Sequence, residues 1–357
     1  MPTANAQSPL VADFQVTVNG SPLPVAVALH VVGIEVEDSV ELPGMFAVEL
    51  AASEHIDQIS AWIDDQKLFV VGNALEVKLG YVDALASLIK GEITALEPEF
   101  VGDRLPRLRL RGYDRRHRLQ RGRKVRSFVQ QKDSDIAAQI AGDAGLTAQA
   151  EDSGVVHDYV LQANESDLDF LQQRARRIGY EVVVDDRTLI YRPVANAAGD
   201  ILTLTLGDQL LEFHPRLSSA GQFSDVEVRG WSVKDKAAIV GQAGDGAEVS
   251  TMGGQQTGAA LVRSAFGAAA GLLGTHPVAS QAEADQLAKA GFNRSILGLV
   301  EGEGRCWGRT DLRAGKVIRV DGIGKTFSGS YYVVSASHEY TPQNGYRTAF
   351  TVRRNAA

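Results

Sequence analysis

The segment Leu105-Pro106-Arg107-Leu108-Arg109-Leu110-Arg111-Gly112-Tyr113-Asp114 alternates leucine and arginine with a period of two. That period marks a β-strand with one face in a core and the other in water. Leu105 precedes Pro106 and falls outside the alternation, so Leu108 and Leu110 are expected inside a barrel and Arg107, Arg109 and Arg111 outside it. Three arginines on one strand face are candidates for a subunit interface, where they would meet carboxylates of a neighbour. They belong to a wider basic stretch: from Arg104 to Arg126 there are eleven Lys/Arg and one acid, Asp114. A solvated face is the plain alternative, and a phosphate-binding patch is a third reading. The net charge of −8 and the lack of interleaved aromatic residues in the stretch weigh against nucleic acid.

Upstream, the same period recurs. Phe14, Val16 and Val18 alternate before an Asn19-Gly20 turn, Phe46, Val48 and Leu50 follow Pro43-Gly44, and Leu75, Val77, Leu79 and Tyr81 form a third run. Ser53 is placed to cap a short helix with Ile56, Ile59 and Ile63 on one face. Residues 1–112 therefore read as a small closed or nearly closed sheet around one helix.

Downstream the character changes. Asp133 or Ser134 can cap a helix bearing Ile136, Ala137, Ile140 and Ala141 and ending at Gly145. A second helix starts near Asn164 to Asp167, carries Leu168, Leu171, Ala175 and Ile178, and stops at Gly179. Ser166 and Asp169 have capping-box spacing, with Asp in place of the usual Glu. A hairpin, Tyr180 to Val184 and Thr188 to Arg192, turns through Asp185-Asp186-Arg187. Residues 113–198 thus read as an α/β middle domain. Strands return at 201–206, 226–229, 316–320, 331–337 and 346–353, which groups 199–235 with 296–357 as a second strand-rich domain. Between them, residues 236–295 are an insertion. Nine glycines between Gly241 and Ser280 predict a flexible first part, and Ser280-Gln281-Ala282-Glu283 opens a helix running through Leu287 and Ala288. The expected fold class is α+β, mainly β.

Composition narrows the function. A chain of 357 residues with 44% hydrophobic and 22% charged residues is a folded protein of two to four domains. Met1 to Val11 lacks the basic start and apolar run of an export signal, and Ala259 to Gly274 is too short and too weak to span a bilayer. The single cysteine, Cys306, excludes an intrachain disulfide, fits a reducing cytosol and reads as a core residue beside Trp307. Gly322-Ile323-Gly324-Lys325-Thr326 lacks the first glycine of a phosphate loop and reads as a turn; Gly302-Glu303-Gly304 lacks the context of a dinucleotide fingerprint. The seven histidines have no metal-ligand spacing, and His338-Glu339 has no second histidine four residues on. Glu97/Glu99 flank Pro98 in an expected loop, and Asp185/Asp186 sit at a hairpin tip, so neither pair reads as a glycosidase acid and base. No catalytic residue, cofactor or metal site is assigned.

One resemblance is specific. Arg111-Gly112-Tyr113-Asp114, then His117-Arg118-Leu119 and Gly122, resembles the segment that closes the first barrel in the phage late control gene D family, which includes tail and baseplate hub proteins and the hub region of VgrG-like spike proteins. Ser134-Asp135-Ile136-Ala137, Asn164-Glu165-Ser166-Asp167-Leu168-Asp169-Phe170-Leu171, Arg174-Ala175, Gly179-Tyr180-Glu181 and Phe327-Ser328-Gly329-Ser330-Tyr331-Tyr332 follow in the matching order. The likeness is strongest over residues 105 to 192 and 310 to 353 and weak over 236 to 295. It implies two tube-like β-barrels, residues 1–112 and 199–235 with 296–357, joined by the middle domain. It also implies a non-enzymatic baseplate hub of a phage tail or contractile injection system, a homotrimer whose pseudo-sixfold ring joins the tail tube to the spike. The implied partners are two further copies, a spike protein on a separate polypeptide, a tail tube or tube-initiator protein and baseplate wedge proteins. Nucleic acid would at most pass through the lumen, and this chain would insert in no membrane. Synthesis in the bacterial cytoplasm and incorporation in a virion or injection particle complete the expectation. A tail-associated cell-wall hydrolase and a nucleic-acid-binding module are the competing functions.

Overall fold

The computed structural model describes residues 11–357 apart from 54, 55, 65, 66, 103, 234, 275 and 276. The start of the first expected barrel, residues 1–10, and the side chain of Ile56 lie outside the described residues. Strand accounts for 48% and helix for 20%, which makes the fold α+β and mainly β.

The first third comprises β1 (Ala12–Val18), β2 (Ser21–Pro22), α1 (Val25–Ala28), β3 (Val31–Ser39), β4 (Met45–Ala51), α2 (Ile56–Asp64), β5 (Ala74–Tyr81), β6 (Ala84–Glu99) and β7 (Arg107–Asp114). The middle comprises α3 (Arg116–Leu119), β8 (Lys124–Lys132), α4 (Asp133–Asp143), β9 (Thr147–Ala150), β10 (Val156–Glu165), α5 (Asp167–Ile178), β11 (Tyr180–Asp185) and β12 (Thr188–Pro193). The last part comprises β13 (Thr203–Thr205), β14 (Leu210–Leu217), β15 (Asp225–Ser232), β16 (Ala237–Gly244), α6 (Gly258–Phe266), β17 (Ala270–Leu273), α7 (Gln281–Leu297), β18 (Val300–Trp307), β19 (Val317–Asp321), β20 (Gly329–Thr341) and β21 (Gly345–Arg354).

Local chemistry sets the helices of the middle third. Ser166 Oγ accepts the Asp169 amide at 3.1 Å and opens α5, and Gly179 closes it at φ 73°. At α4 the cap is Lys132, whose amide donates to the Asp135 carboxylate, so the helix starts one residue before the expected Asp133 or Ser134 could cap it. Ile136, Ile140, Leu171 and Tyr191 meet in one core between the helices and the β11–β12 hairpin.

The two strand-rich ends are not separate sheets. Among the described residues, thirteen strands join in one sheet whose main path runs β14-β18-β21-β20-β3-β4-β7-β6-β5-β1-β2, with β13 and β19 beside it. The seam is β3 against β20, antiparallel, with Ser335 opposite Ser39, Ser337 opposite Glu37 and Glu339 opposite Glu35. The expectation of two separate barrels therefore meets one sheet: each half offers the other a free edge, and joining them satisfies both rows of backbone groups. Each half keeps its own core, Val36, Phe46, Leu50, Leu108 and Leu110 in the first and Val300, Ile318, Tyr331 and Phe350 in the second.

The halves repeat one another. The order β14-β18-β21-β20 matches β3-β4-β7-β6, and the irregularities fall at matching places. β3 slips against β4 between Val31 and Gly33, and β14 slips against β18 between Leu210 and Glu212. β6 slips against β7 between Ile93 and Ala95, and β20 slips against β21 between Val333 and Ser335. β-Bulges re-aim a strand and are fixed features of a fold, so their coincidence identifies Val333 with Ile93, Val352 with Gly112, Gly304 with Val48 and Phe213 with Ile34.

The insertion departs from the expected flexible segment and boundaries. β15, expected in the second barrel, pairs instead with β16 and β17 in a sheet of its own. Val226 and Val228 are buried on the side facing α7, which supplies Ala284, Leu287, Ala288 and Phe292. Five of the nine glycines that suggested mobility sit at close approaches: a Cβ at Gly241 would stand 2.3 Å from the Ala284 carbonyl oxygen, and one at Gly254 would stand 2.5 Å from Ala356 Cβ. α7 starts at the expected Ser280 cap but continues to Leu297 because Phe292 and Ile296 remain in the core.

Candidate assembly surface

β7 lies between β4 and β6, and its alternation buries Leu108 and Leu110 completely while its arginines emerge on the opposite face. Arg107 Nη1 reaches Glu49 at 2.6 Å, Arg109 Nη2 reaches Glu35 at 2.9 Å and Arg111 Nη2 reaches Glu97 at 3.3 Å. These carboxylates stand on β4, β3 and β6 of the same chain. Strand register brings them into range, which the local alternation of β7 could not reveal. Each pair is partly exposed and contributes about 0–1 kcal/mol.

The polar face continues over the second repeat. Arg353 Nε reaches Glu301 at 3.1 Å, and Arg305 Nε lies 3.6 Å from Glu212. The Arg347 guanidinium stacks on the Trp307 ring, 3.5 Å from its centroid. Acid and base alternate across the sheet, so this face carries no large field of either sign.

The rest of the basic stretch ties the first third of the chain to the middle third. Glu92 accepts hydrogen bonds from Arg118, lies 2.9 Å from His117 Nε2 and has Arg115 Nε 3.4 Å away. Burial opposes its charge, but the bonds from Arg118 and His117 outweigh burial and hold the carboxyl at about 2. Arg116, 1% exposed, donates to Asp114 and to the Ser39 carbonyl oxygen. Lys124 and Arg126 both reach Asp167 at the start of α5, at 2.6 and 2.7 Å. Much of the stretch is thereby neutralised within the chain, which removes most of the phosphate-binding reading. Two further joints were not visible in the sequence. Asp133 holds Arg174 and His157 while Glu283 of α7 holds Arg177, and Glu181 accepts from both Arg192 and the Tyr332 hydroxyl.

The other motif residues fall into structural places. Glu97 is paired with Arg111, while Asp186 meets Arg115 and Lys90 at a hairpin turn where its φ is 49°. Gly322 and Gly324 sit in the turn between β19 and β20 at φ 82° and 83°. Cys306 is buried, which pushes its thiol up to about 12. Burial, with Arg313 nearby, pushes the His338 imidazole down to about 3, and its Nδ1 lies 2.8 Å from the Tyr346 hydroxyl. Among the described residues no three His, Cys, Asp or Glu side chains are placed to hold a metal ion, and no helix is long and apolar enough to cross a membrane.

Comparison with solved structures shows a fold shared with tail proteins. The 43 kDa tail protein of prophage MuSo2 from Shewanella oneidensis superposes with a TM-score of 0.70 at 15% identity, covering 96% of this chain and 98% of that one. The tail protein of Neisseria meningitidis MC58 gives 0.69 at 12% identity, over 96% and 97%. The E. coli c3393 protein, described as a component of the type VI secretion system with structural similarity to bacteriophage T4 tail proteins, gives 0.59 at 14% identity, over 96% and 77%. No curated protein matches the sequence significantly. One family profile does, over residues 8–342, a span that takes in the first repeat, the middle third, the insertion and the second repeat up to but not including its last strand, β21. The chain belongs to the Alg8 N-terminal domain family.

Proposed function

We propose that the protein is the structural baseplate hub of a phage tail or contractile injection system, without enzymatic activity. The observation that carries this reading is the internal repeat: two four-stranded units in one chain, with coincident bulges, hydrogen-bonded edge to edge. Three such chains arranged head to tail give six similar units around an axis and keep threefold symmetry. That geometry adapts a sixfold tail tube to a threefold spike. The shared fold of phage-tail and type VI secretion proteins supports the same reading.

In this ring the two halves act as tube-like barrels. The acid–base face bearing Arg109, Glu35, Arg353 and Glu301 lines the bore, because the cores and helix α2 occupy the other side of the sheet. A face of alternating sign holds neither nucleic acid nor protein strongly and lets either pass. The middle domain and insertion stand outside, facing wedge proteins, while the tube and the spike cap the two ends. Arg107, Arg109 and Arg111, expected at a subunit interface, contribute through Arg111 and its partner Glu97 on the outer strand β6. The test is electron microscopy of the particle that co-purifies with the tagged chain. End-on averages of the baseplate centre should show six similar lobes around a threefold spike, and a particle with the chain only at its periphery overturns the reading.

A further inference from the structure

The ladder that joins the two repeats inside the chain has a counterpart at each end of the sheet. β20 pairs with β19 through its first half and, beyond its bulge, with β3. β6 is its counterpart: it pairs with β5 through its first half, and beyond the Ile93/Ala95 bulge its outer edge has no strand partner among the described residues. β14, the counterpart of β3, ends the sheet at the other side. Two complementary free edges on one chain make a head-to-tail contact between copies.

We infer that the free end of β6 in one copy pairs antiparallel with β14 of a second copy, in the register of the β3–β20 seam. The counterparts of Ser335, Ser337 and Glu339 are Ala95, Glu97 and Glu99, since both sets follow the bulge and face Thr351, Ala349 and Arg347 or Arg111, Arg109 and Arg107. The counterparts of Ser39, Glu37 and Glu35 are Ser218, Arg216 and His214, because Glu35 lies opposite Ala47 as His214 lies opposite Glu303. The joint therefore sets Ala95 opposite Ser218, Glu97 opposite Arg216 and Glu99 opposite His214.

The side chains agree with this register, though they played no part in deriving it. Glu97 and Glu99 are exposed carboxylates, and Arg216 and His214 are exposed bases; Arg216 has no carboxylate partner among the described residues. On the other face Leu96 meets Leu217, each half-buried against its own core, so the joint connects the first core of one copy to the second core of the next. Pro98 falls opposite Pro215. Proline suits an edge strand and blunts indiscriminate pairing. A slip of one residue would set Glu97 opposite Pro215 or Leu217 and Leu96 opposite Arg216 or Ser218.

This joint rests on the ring proposed above, and two measurements on the full chain with its spike keep the two apart. Copies carrying Ala95→Cys are mixed with copies carrying Ser218→Cys and treated with a short bis-maleimide. Crosslinks are expected in the mixture and not in either variant alone, and not when Leu217→Cys replaces Ser218→Cys, because that residue faces the other side. Charge reversal reads the same rung: Glu97→Arg or Arg216→Glu alone should raise the concentration for half-assembly about tenfold or more, and the two together should restore it to within about threefold. Rings seen by native mass spectrometry without the 95–218 crosslink overturn the joint and leave the hub reading standing. Crosslinking of Ala95→Cys copies to one another shows a symmetric dimer and overturns both, as does the absence of rings together with the absence of crosslinks.

Discussion

The edge of the Phe46 ring occupies the space that a side chain at position 112 would need: a Cβ on Gly112 would stand 2.2 Å from Phe46 Cζ and 2.2 Å from the Glu92 carbonyl oxygen. The glycine of Arg111-Gly112-Tyr113-Asp114 is thus a packing requirement of the first core. Gly112→Ala forces a shift of backbone as well as ring, so it should destabilise the chain by about 1–3 kcal/mol or more. Urea unfolding measures this, and an unchanged midpoint would contradict the packing. Trimming the ring in Phe46→Leu should recover only part of the loss, because the Glu92 carbonyl oxygen remains.

The Glu92 cluster sets an acid limit. Its carboxyl is held at about 2 against an ordinary 4.5, so its ionisation stabilises the fold above pH 4.5 and that contribution disappears as pH falls toward 2. Glu92→Gln should cost about 2–3 kcal/mol at pH 7, by linkage from the shift. The difference from the unaltered chain should close progressively between pH 4.5 and 2. A gap of constant size across that range would show that packing, not charge, holds this joint.

Cys306 should be inert in the folded chain. Burial is complete and raises the thiol to about 12, so almost no thiolate is present at pH 8. A chromogenic disulfide reagent should label one thiol only after denaturant is added. Rapid labelling of the native chain would place Cys306 at an opening surface.

In the insertion, hydrogen exchange should separate ladder from loop. Amides of β16 paired with β15 should exchange slowly, while the exposed turn at Asp245 and Gly246 exchanges fast and is cut first by protease. Uniformly fast exchange across 236–295 would restore the picture of a flexible segment.

What the sequence revealed and what it hid have one physical explanation. The period-two pattern of β7, the Ser166 and Ser280 caps and the β11–β12 hairpin are local, and local chemistry reads out directly. The repeat is not local, and its core residues are exchanged between strands. Phe46 and Val48 on β4 correspond to Gly302 and Gly304 on β18, whose space is filled by Phe213 and Phe350, while Gly112 corresponds to Val352. Large and small residues swap places at matching positions, so the two halves share a ladder and almost no sequence. The arginines of β7 were legible as a face; their partners Glu35, Glu49 and Glu97 were not, since register is set by pairing across the sheet. The glycines of the insertion resembled those of a linker because close approach and flexibility use the same residue.

Stoichiometry tests the central claim most directly. Native mass spectrometry of the chain co-expressed with its spike should give three hub chains for every three spike chains, since two repeats in each of three chains would make the six positions of the proposed ring. A stable dimer, or six copies of the chain in one ring, would contradict the account.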